Sequence, residues 1–133
     1  WANSSSLMIV AIGIDIIEVA RIREVLLRTP RFRERVFTDG ERAYCDSRSV
    51  VAAQHYAARF AAKEATLKAL QTGWRGGISW QDVEIAAHDS GAPYLILHGP
   101  VQQLFQASGA TAAHLSMSHT SEHAIAEVIL ERG

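Results

Sequence analysis

The alternation of apolar and polar residues predicts a strand followed by a helix at the start of the chain. Residues 8–17 are rich in Ile and Val, which predicts a buried strand with a bend or a close backbone approach at Gly13. From Glu18 to Arg28, apolar residues recur at helical spacing, and Thr29 and Pro30 end the pattern. The segment therefore predicts an amphipathic helix, and its polar face is mostly basic.

Two further helices are predicted in the middle of the chain. Thr38 and Glu41 have the spacing of a capping box, which predicts a short helix that breaks near residues 47–49. Residues 51–70 are rich in alanine, contain neither Gly nor Pro, and are followed by Thr72 and Gly73. This second segment is the longest helix that the pattern predicts.

The last third of the chain predicts four strands and one helix. Residues 78–86 and 94–97 form a predicted hairpin across residues 89–91, and residues 101–107 form a short helix that ends at Gly109. Residues 114–118 and 124–130 are predicted strands on either side of the turn at residues 120–122. The order of elements predicts an α+β fold in which an antiparallel sheet packs against a long helix and shorter helices.

The length and composition fit one globular domain. The chain has 133 residues, of which 48% are hydrophobic and 20% charged, and no repeat or linker divides it. We expect a single domain over residues 8–133. Residues 1–7 precede the first predicted strand and are expected to be a tag remnant or a disordered leader.

Charge and cysteine content limit the classes of function. The formal net charge of −1 argues against nucleic-acid binding through bulk positive charge. Cys45 is the single cysteine, so an intrachain disulfide and a thiolate zinc cluster are both excluded, and a reducing cytoplasm is expected. The longest apolar stretch is too short to cross a bilayer, so no membrane anchor is expected.

Charged residues cluster in the long predicted helix. Glu64 and Lys68 are four residues apart, so they lie on one face, and one interpretation is an exposed ion pair that adds little stability. Asp15 is a lone carboxylate in an apolar strand, so it needs a partner or a cation, unless it caps the following helix. If strand and helix meet, Asp15 and Glu64 provide two carboxylates for Mg²⁺, and Lys68 lies beside a substrate phosphate.

Other common sites are not indicated. His114, His119 and His123 fall on a predicted strand, its turn and the next strand rather than on one helix face, so we expect no zinc site. The sequence contains no Walker loop, no nucleophile elbow and no dinucleotide glycine fingerprint. Phosphate recognition must therefore use other groups.

Two motifs resemble those of a known family. Residues 13–16 (GIDI) and residues 59–65 (RFAAKEA) followed by Lys68 resemble the paired signatures of the holo-acyl-carrier-protein synthases, the short 4′-phosphopantetheinyl transferases. Residues 78–85, 91–94 and 114–120 follow in the family's order, so the resemblance covers residues 8–131. Departures from the family pattern lie mostly in residues 47–55 and 101–113.

The resemblance implies a 4′-phosphopantetheinyl transferase-like fold and a specific reaction. The family transfers the phosphopantetheine arm of coenzyme A to a serine hydroxyl of apo acyl carrier protein, releasing adenosine 3′,5′-bisphosphate, in fatty acid or polyketide biosynthesis. Asp15 and Glu64 match its metal-binding carboxylates, which take Mg²⁺ or Mn²⁺, and together with Lys68 they are the implied catalytic residues. Either Glu64 or a metal-bound water takes the serine proton.

The resemblance also implies residues that bind coenzyme A. These are Arg59, Lys63, Lys68, Gly73 and His119. The residue types alone leave alternatives open, because His119 is also explained as a solvated turn histidine and Lys63 as a solvated lysine.

The remaining implications concern partners. Arg21, Arg28 and Arg31 are expected to dock the acidic carrier protein, although surface arginines are often only solubilising. The family is usually a homotrimer with active sites between protomers. The alternative class is a non-catalytic trimeric module that binds coenzyme A or a nucleotide. It is less favoured, because such a module has no chemical reason to keep Asp15, Glu64 and Lys68 together.

Overall fold

The computed structural model describes residues 6–133, so most of the expected leader, residues 1–5, lies outside the described residues. Within residues 6–133 the helices and strands are β1 Met8–Glu18, α1 Val19–Arg28, α2 Phe32–Val36, α3 Asp39–Asp46, α4 Ala52–Ala69, β2 Val83–Ala87, β3 Pro93–Leu97, α5 Gly99–Ala107, β4 Ala112–His119 and β5 His123–Arg132. None of the helices in this part of the chain is both long enough and apolar enough to cross a membrane.

The strands form two antiparallel sheets. One has three strands in the order β1, β5, β4, and the other is the predicted β2–β3 hairpin. Helix α4 packs against β1 and β5 and also contacts α1, α3 and β2. The predicted α+β fold with antiparallel strands against a long helix is confirmed, and α4 is its central element.

The contact between β1 and α4 depends on Gly13. A Cβ atom added at Gly13 would lie 2.0 Å from the carbonyl oxygen of Ala65 and 2.7 Å from the backbone nitrogen of Ala69. The two backbones therefore touch, and only glycine fits between them. Side chains alternate along a strand, so Asp15 shares the inner face of β1 with Gly13 and faces α4.

The outer face of β1 is apolar and exposed. Ile12, Ile14 and Ile16 are 55%, 51% and 63% exposed, and Ile125 on the neighbouring strand β5 pairs with Ile16 and is 36% exposed. These four residues are called the isoleucine face below. A contiguous exposed apolar face of this kind is typical of an interface with another chain.

Helix α3 starts as its sequence predicts. The hydroxyl of Thr38 accepts a hydrogen bond from the Glu41 backbone N–H at 3.2 Å, and Glu41 Oε1 accepts one from the Thr38 N–H at 2.8 Å. The capping box is therefore complete. The Glu41 side chain is fully buried, which is unusual for a capping glutamate.

Three details differ from the sequence predictions. Helix α2 was not predicted, and it is held by Phe32, whose ring lies 6.0 Å from that of Phe60 on α4. The strand predicted from residue 78 begins only at Val83, because Ser79 and Asp82 cap a 3₁₀ turn over Trp80–Asp82. On α1, Leu27 is 80% exposed rather than packed inward.

Candidate functional site

Asp15 and Lys68 form an ion pair where β1 meets α4. Lys68 Nζ donates to Asp15 Oδ1 at 2.8 Å and to the carbonyl oxygen of Ile14 at 3.0 Å. Lys68 therefore hydrogen-bonds to β1, and the interpretation of an exposed ion pair with Glu64 on the same helix does not hold. Nor does Asp15 cap the next helix, because the N-cap position of α1 is Glu18.

Glu64 lies in the same site, half-buried on α4. Burial raises the pKa of the Glu64 carboxyl, the hydrogen bond from Trp74 Nε1 at 3.3 Å lowers it, the charge of Asp15 raises it again, and Lys68 lowers it. The charge of Asp15 acts on Glu64, so the two side chains lie in the same site. The fold therefore brings together Asp15, Glu64 and Lys68, the three residues that the sequence predicted as catalytic.

The donor set of this site fits magnesium. The charge of Asp15 raises the pKa of Glu64, and a divalent cation would neutralise both carboxylates. Among residues 6–133, no three or more His, Cys, Asp or Glu side chains converge to hold a metal ion. A pair of carboxylates is instead what Mg²⁺ or Mn²⁺ uses when substrate phosphates and water complete its shell.

A second cluster surrounds the N-terminal half of α4. The Arg59 guanidinium lies 4.0 Å from the ring centre of Tyr44, and Arg59 Nε is buried without a hydrogen-bond partner in the described part of the chain. His119 Nδ1 lies 2.9 Å from Gln54 Oε1, and its ring centre is 4.7 Å from that of His55. Burial, followed by the charges of His119 and the nearby arginines, lowers the pKa of His55 to about 4, so His55 is neutral near pH 7.

This second cluster is suited to an anionic group. Arg59 and Tyr44 line a cavity of about 230 Å³ beside strand β2. His119 is half-buried at the end of β4, so it is not the freely solvated turn histidine that was the alternative interpretation. The cluster offers a guanidinium and an imidazole on one side of α4.

Lys63 requires a correction. Its side chain is completely buried, and its Nζ forms an ion pair with Glu41 Oε1 at 3.0 Å and donates to the carbonyl oxygens of Trp80 and Val83. These three partners use all the donors of an ammonium group. Lys63 is therefore neither solvated nor directed at a ligand, and the expectation that it contacts coenzyme A is wrong for this reason.

The other predicted residues lie at the surface. Gly73 is exposed in the loop after α4, and a Cβ atom added there would have no neighbour within 4 Å. Arg21, Arg28 and Arg31 are all exposed, and Arg28 pairs with Glu24 at 2.8 Å. The predictions missed the pairing of Glu41 with Lys63 and the contact of Trp74 with Glu64. The signal for Glu41 was indirect, because α4 is rich in alanine and a charge on so buried a helix needs a partner.

The fold and site define a small α+β protein equipped for chemistry on a phosphorylated substrate, with an acidic and lysine-containing site on one side of α4 and a basic cluster on another. The family model described as the 4′-phosphopantetheinyl transferase superfamily matches residues 11–127. The chain belongs to this superfamily.

Individual relatives agree with this assignment. A holo-[acyl-carrier-protein] synthase of Koribacter versatilis is 47% identical over 125 residues, which cover 93% of this chain and 99% of that protein. The crystal structure of the Bacillus anthracis synthase in complex with CoA (3′,5′-ADP) is 39% identical, with a TM-score of 0.77 over 95% of this chain and 99% of that one. The Helicobacter pylori synthase in complex with coenzyme A is 32% identical, with a TM-score of 0.76 over 90% of this chain and 98% of that one.

Proposed function

We propose that this chain is a holo-acyl-carrier-protein synthase. It transfers 4′-phosphopantetheine from coenzyme A to a serine hydroxyl of apo acyl carrier protein and releases adenosine 3′,5′-bisphosphate. The observation that carries the proposal is the meeting of Asp15, Glu64 and Lys68 in a chain 47% identical to a relative of that name along nearly its full length. The product, holo carrier protein, serves fatty acid biosynthesis. We propose a cytoplasmic location, which agrees with a single buried cysteine that forms no disulfide.

Each residue of the site has a role in this reaction. Lys68 binds the diphosphate of coenzyme A as a point charge, so the leaving bisphosphate departs beside a cation. Asp15 holds the Lys68 ammonium at the junction with β1. Glu64 has a raised pKa, and either Glu64 or a water beside it takes the serine proton.

Asp15 and Glu64 would also hold the divalent ion, magnesium or manganese. When bound, the ion neutralises charge on the diphosphate oxygens and on the leaving group. Carboxylates must be ionised to bind it, and the pKa of Glu64 is raised. We therefore expect affinity for the ion to fall as the pH falls through that pKa.

The two clusters on α4 support a site shared between protomers. Arg59 and Lys68 are nine positions apart on the helix, which places them about 13 Å apart along its axis and on opposite faces. In coenzyme A, the 3′-phosphate and the diphosphate are attached to the same ribose, so Arg59 and Lys68 on opposite faces of one helix are poorly placed to bind both groups. We propose that Lys68 and Gly73 of one protomer bind the diphosphate side, and that Arg59 and His119 of a neighbour bind the 3′-phosphate.

The isoleucine face supports contact between copies of this chain, and the resemblance to the synthase family implies that the assembly is a homotrimer. Ile12→Asp would place a charge within the isoleucine face, so we expect the trimer to dissociate. Light scattering after gel filtration should give about three times the chain mass of 14.6 kDa for the natural protein and the single chain mass for the variant.

Leu27→Asp is the matched control, because it adds the same charge at an exposed apolar position on α1, and it should leave the assembly intact. A natural protein that is fully active as a monomer would refute the shared site.

The exposed arginines support docking of an acidic carrier protein. Arg21 lies on α1, which follows the strand that carries Asp15, and it lines a surface groove with Arg28. Arg21→Glu should raise the KM for the carrier protein about tenfold, since it places a negative charge against an acidic partner. The KM for coenzyme A should not change.

Arg28→Glu should have a smaller effect on the KM for the carrier, because Glu24 already neutralises much of the Arg28 charge. In the natural protein, added salt should raise this KM, and the increase should be smaller in Arg21→Glu. An unchanged KM in Arg21→Glu would rule out this docking surface.

The alternative of a non-catalytic module that binds coenzyme A is not favoured. If the chain were only a binding module, coenzyme A would bind and no adenosine 3′,5′-bisphosphate would form. The experiment that separates the two is chromatographic detection of the bisphosphate with coenzyme A, Mg²⁺ and apo carrier protein, and again with a carrier whose acceptor serine is replaced by alanine. We expect release only with the intact acceptor serine.

A further inference from the structure

Trp74 lies against Glu64, although it belongs to neither of the two sequence motifs. The chain turns back at the end of α4, where Gln71 adopts a left-handed backbone conformation with φ of 58° and the Thr72 N–H donates to the carbonyl oxygen of Leu67 at 3.0 Å. This reversal brings the Trp74 indole alongside α4, where its Nε1 donates to Glu64 Oε1 at 3.3 Å.

The indole itself is held by packing. Its ring centre lies 3.6 Å from that of Trp80, and the Trp80 ring stacks on Phe60 with centres 5.0 Å apart. The backbone of Trp80 is fixed in turn, since its carbonyl oxygen accepts from the buried Lys63 Nζ at 3.1 Å. The Trp74 N–H is therefore presented from a rigid support rather than from a freely moving loop.

We propose that Trp74 is a positioning residue, whose indole N–H holds Oε1 of Glu64 so that Oε2 is presented to the divalent ion. This inference rests on the proposed function, which makes Glu64 a ligand of that ion. A half-buried glutamate that must face a nearby carboxylate needs a donor to fix its orientation, and Trp74 supplies a donor without adding charge. Groups that hydrogen-bond to ligating carboxylates set metal affinity even though they do not touch the metal.

The test compares three variants by a measurement that does not depend on turnover. Trp74→Phe removes the N–H and keeps a ring against Trp80, and Trp80→Phe changes the same aromatic stack and keeps the N–H. Glu64→Gln removes the charge of the carboxylate itself. The binding of Mn²⁺ to each protein is measured by electron paramagnetic resonance in the presence of coenzyme A, with correction for Mn²⁺ bound to free coenzyme A.

We expect Trp74→Phe to bind Mn²⁺ about tenfold more weakly than the natural protein and Trp80→Phe to bind it about equally well. Excess Mg²⁺ should restore most of the turnover of Trp74→Phe, because the ligand is only misoriented. Equal weakening in both tryptophan variants, or none in Trp74→Phe, would overturn the inference. If Glu64→Gln binds Mn²⁺ as well as the natural protein does, the proposed metal site fails instead, so the two failures are distinguishable.

Discussion

Glu64→Gln and Asp15→Asn are each expected to lower the rate of holo carrier formation by a factor on the order of a hundred to a thousand. Each change keeps the shape of the side chain and removes the negative charge that binds the divalent ion. In Asp15→Asn the Lys68 ammonium also loses the ionic partner that it contacts at 2.8 Å. The measurement is the initial rate of adenosine 3′,5′-bisphosphate release at saturating coenzyme A and carrier protein.

The matched control for these variants is Glu34→Gln. It removes the same charge from an exposed position on α2 and should leave the rate within about twofold of natural, as expected for a surface change away from the site. Far-ultraviolet circular dichroism checks that all three variants are folded. Rates near the natural value in folded Asp15→Asn and Glu64→Gln would remove both carboxylates from the catalytic site.

Lys63→Met is expected to lower the free energy of unfolding by about 3–5 kcal/mol. The change leaves the Glu41 carboxylate buried and unpaired, and it also leaves the carbonyl oxygens of Trp80 and Val83 without their donor. Burial lowers the pKa of Lys63 and the charge of Glu41 raises it. Each member of the pair therefore offsets the cost of burying the charge of the other. Urea unfolding followed by circular dichroism measures the loss.

Lys68→Met is the control for this prediction, because it removes the same ammonium from an exposed ion pair on the same helix. The cost there should be about 1 kcal/mol or less. Adding Glu41→Gln to Lys63→Met should recover part of the lost stability, since it removes the unpaired charge and keeps one acceptor for the Thr38 or Ile85 N–H. Equal losses in Lys63→Met and Lys68→Met would contradict a buried pair.

Part of the candidate site was predictable because local sequence patterns indicate it. Gly13 interrupts a strand of Ile and Val, and such a glycine predicts a close backbone contact, which the structure places against Ala65. The two-residue period of a strand then puts Asp15 on the same face as Gly13. The four-residue spacing of Glu64 and Lys68 indicated a shared site only if β1 and α4 meet, and the resemblance to the synthase family implied the roles of the three residues.

The parts that were not predicted depend on contacts between distant segments. Lys63 is adjacent to Glu64 in the sequence, yet the Lys63 side chain is in the core with Glu41 and the Glu64 side chain is in the candidate site with Asp15. Nothing local distinguishes the two positions, because alanines lie on most faces of α4. The hydrogen bond from Trp74 likewise depends on how the loop after α4 turns back onto the helix, which sequence spacing does not specify.

The measurement that tests the central claim most directly is intact-mass spectrometry of apo acyl carrier protein after incubation with this protein, coenzyme A and Mg²⁺. Parallel samples contain the Glu64→Gln variant or a chelator in place of Mg²⁺. We expect the carrier to gain the mass of one phosphopantetheine group with the natural protein and almost none in the other two samples. No gain with the natural protein across several carriers, despite binding of coenzyme A, would contradict transfer at the Asp15, Glu64 and Lys68 site.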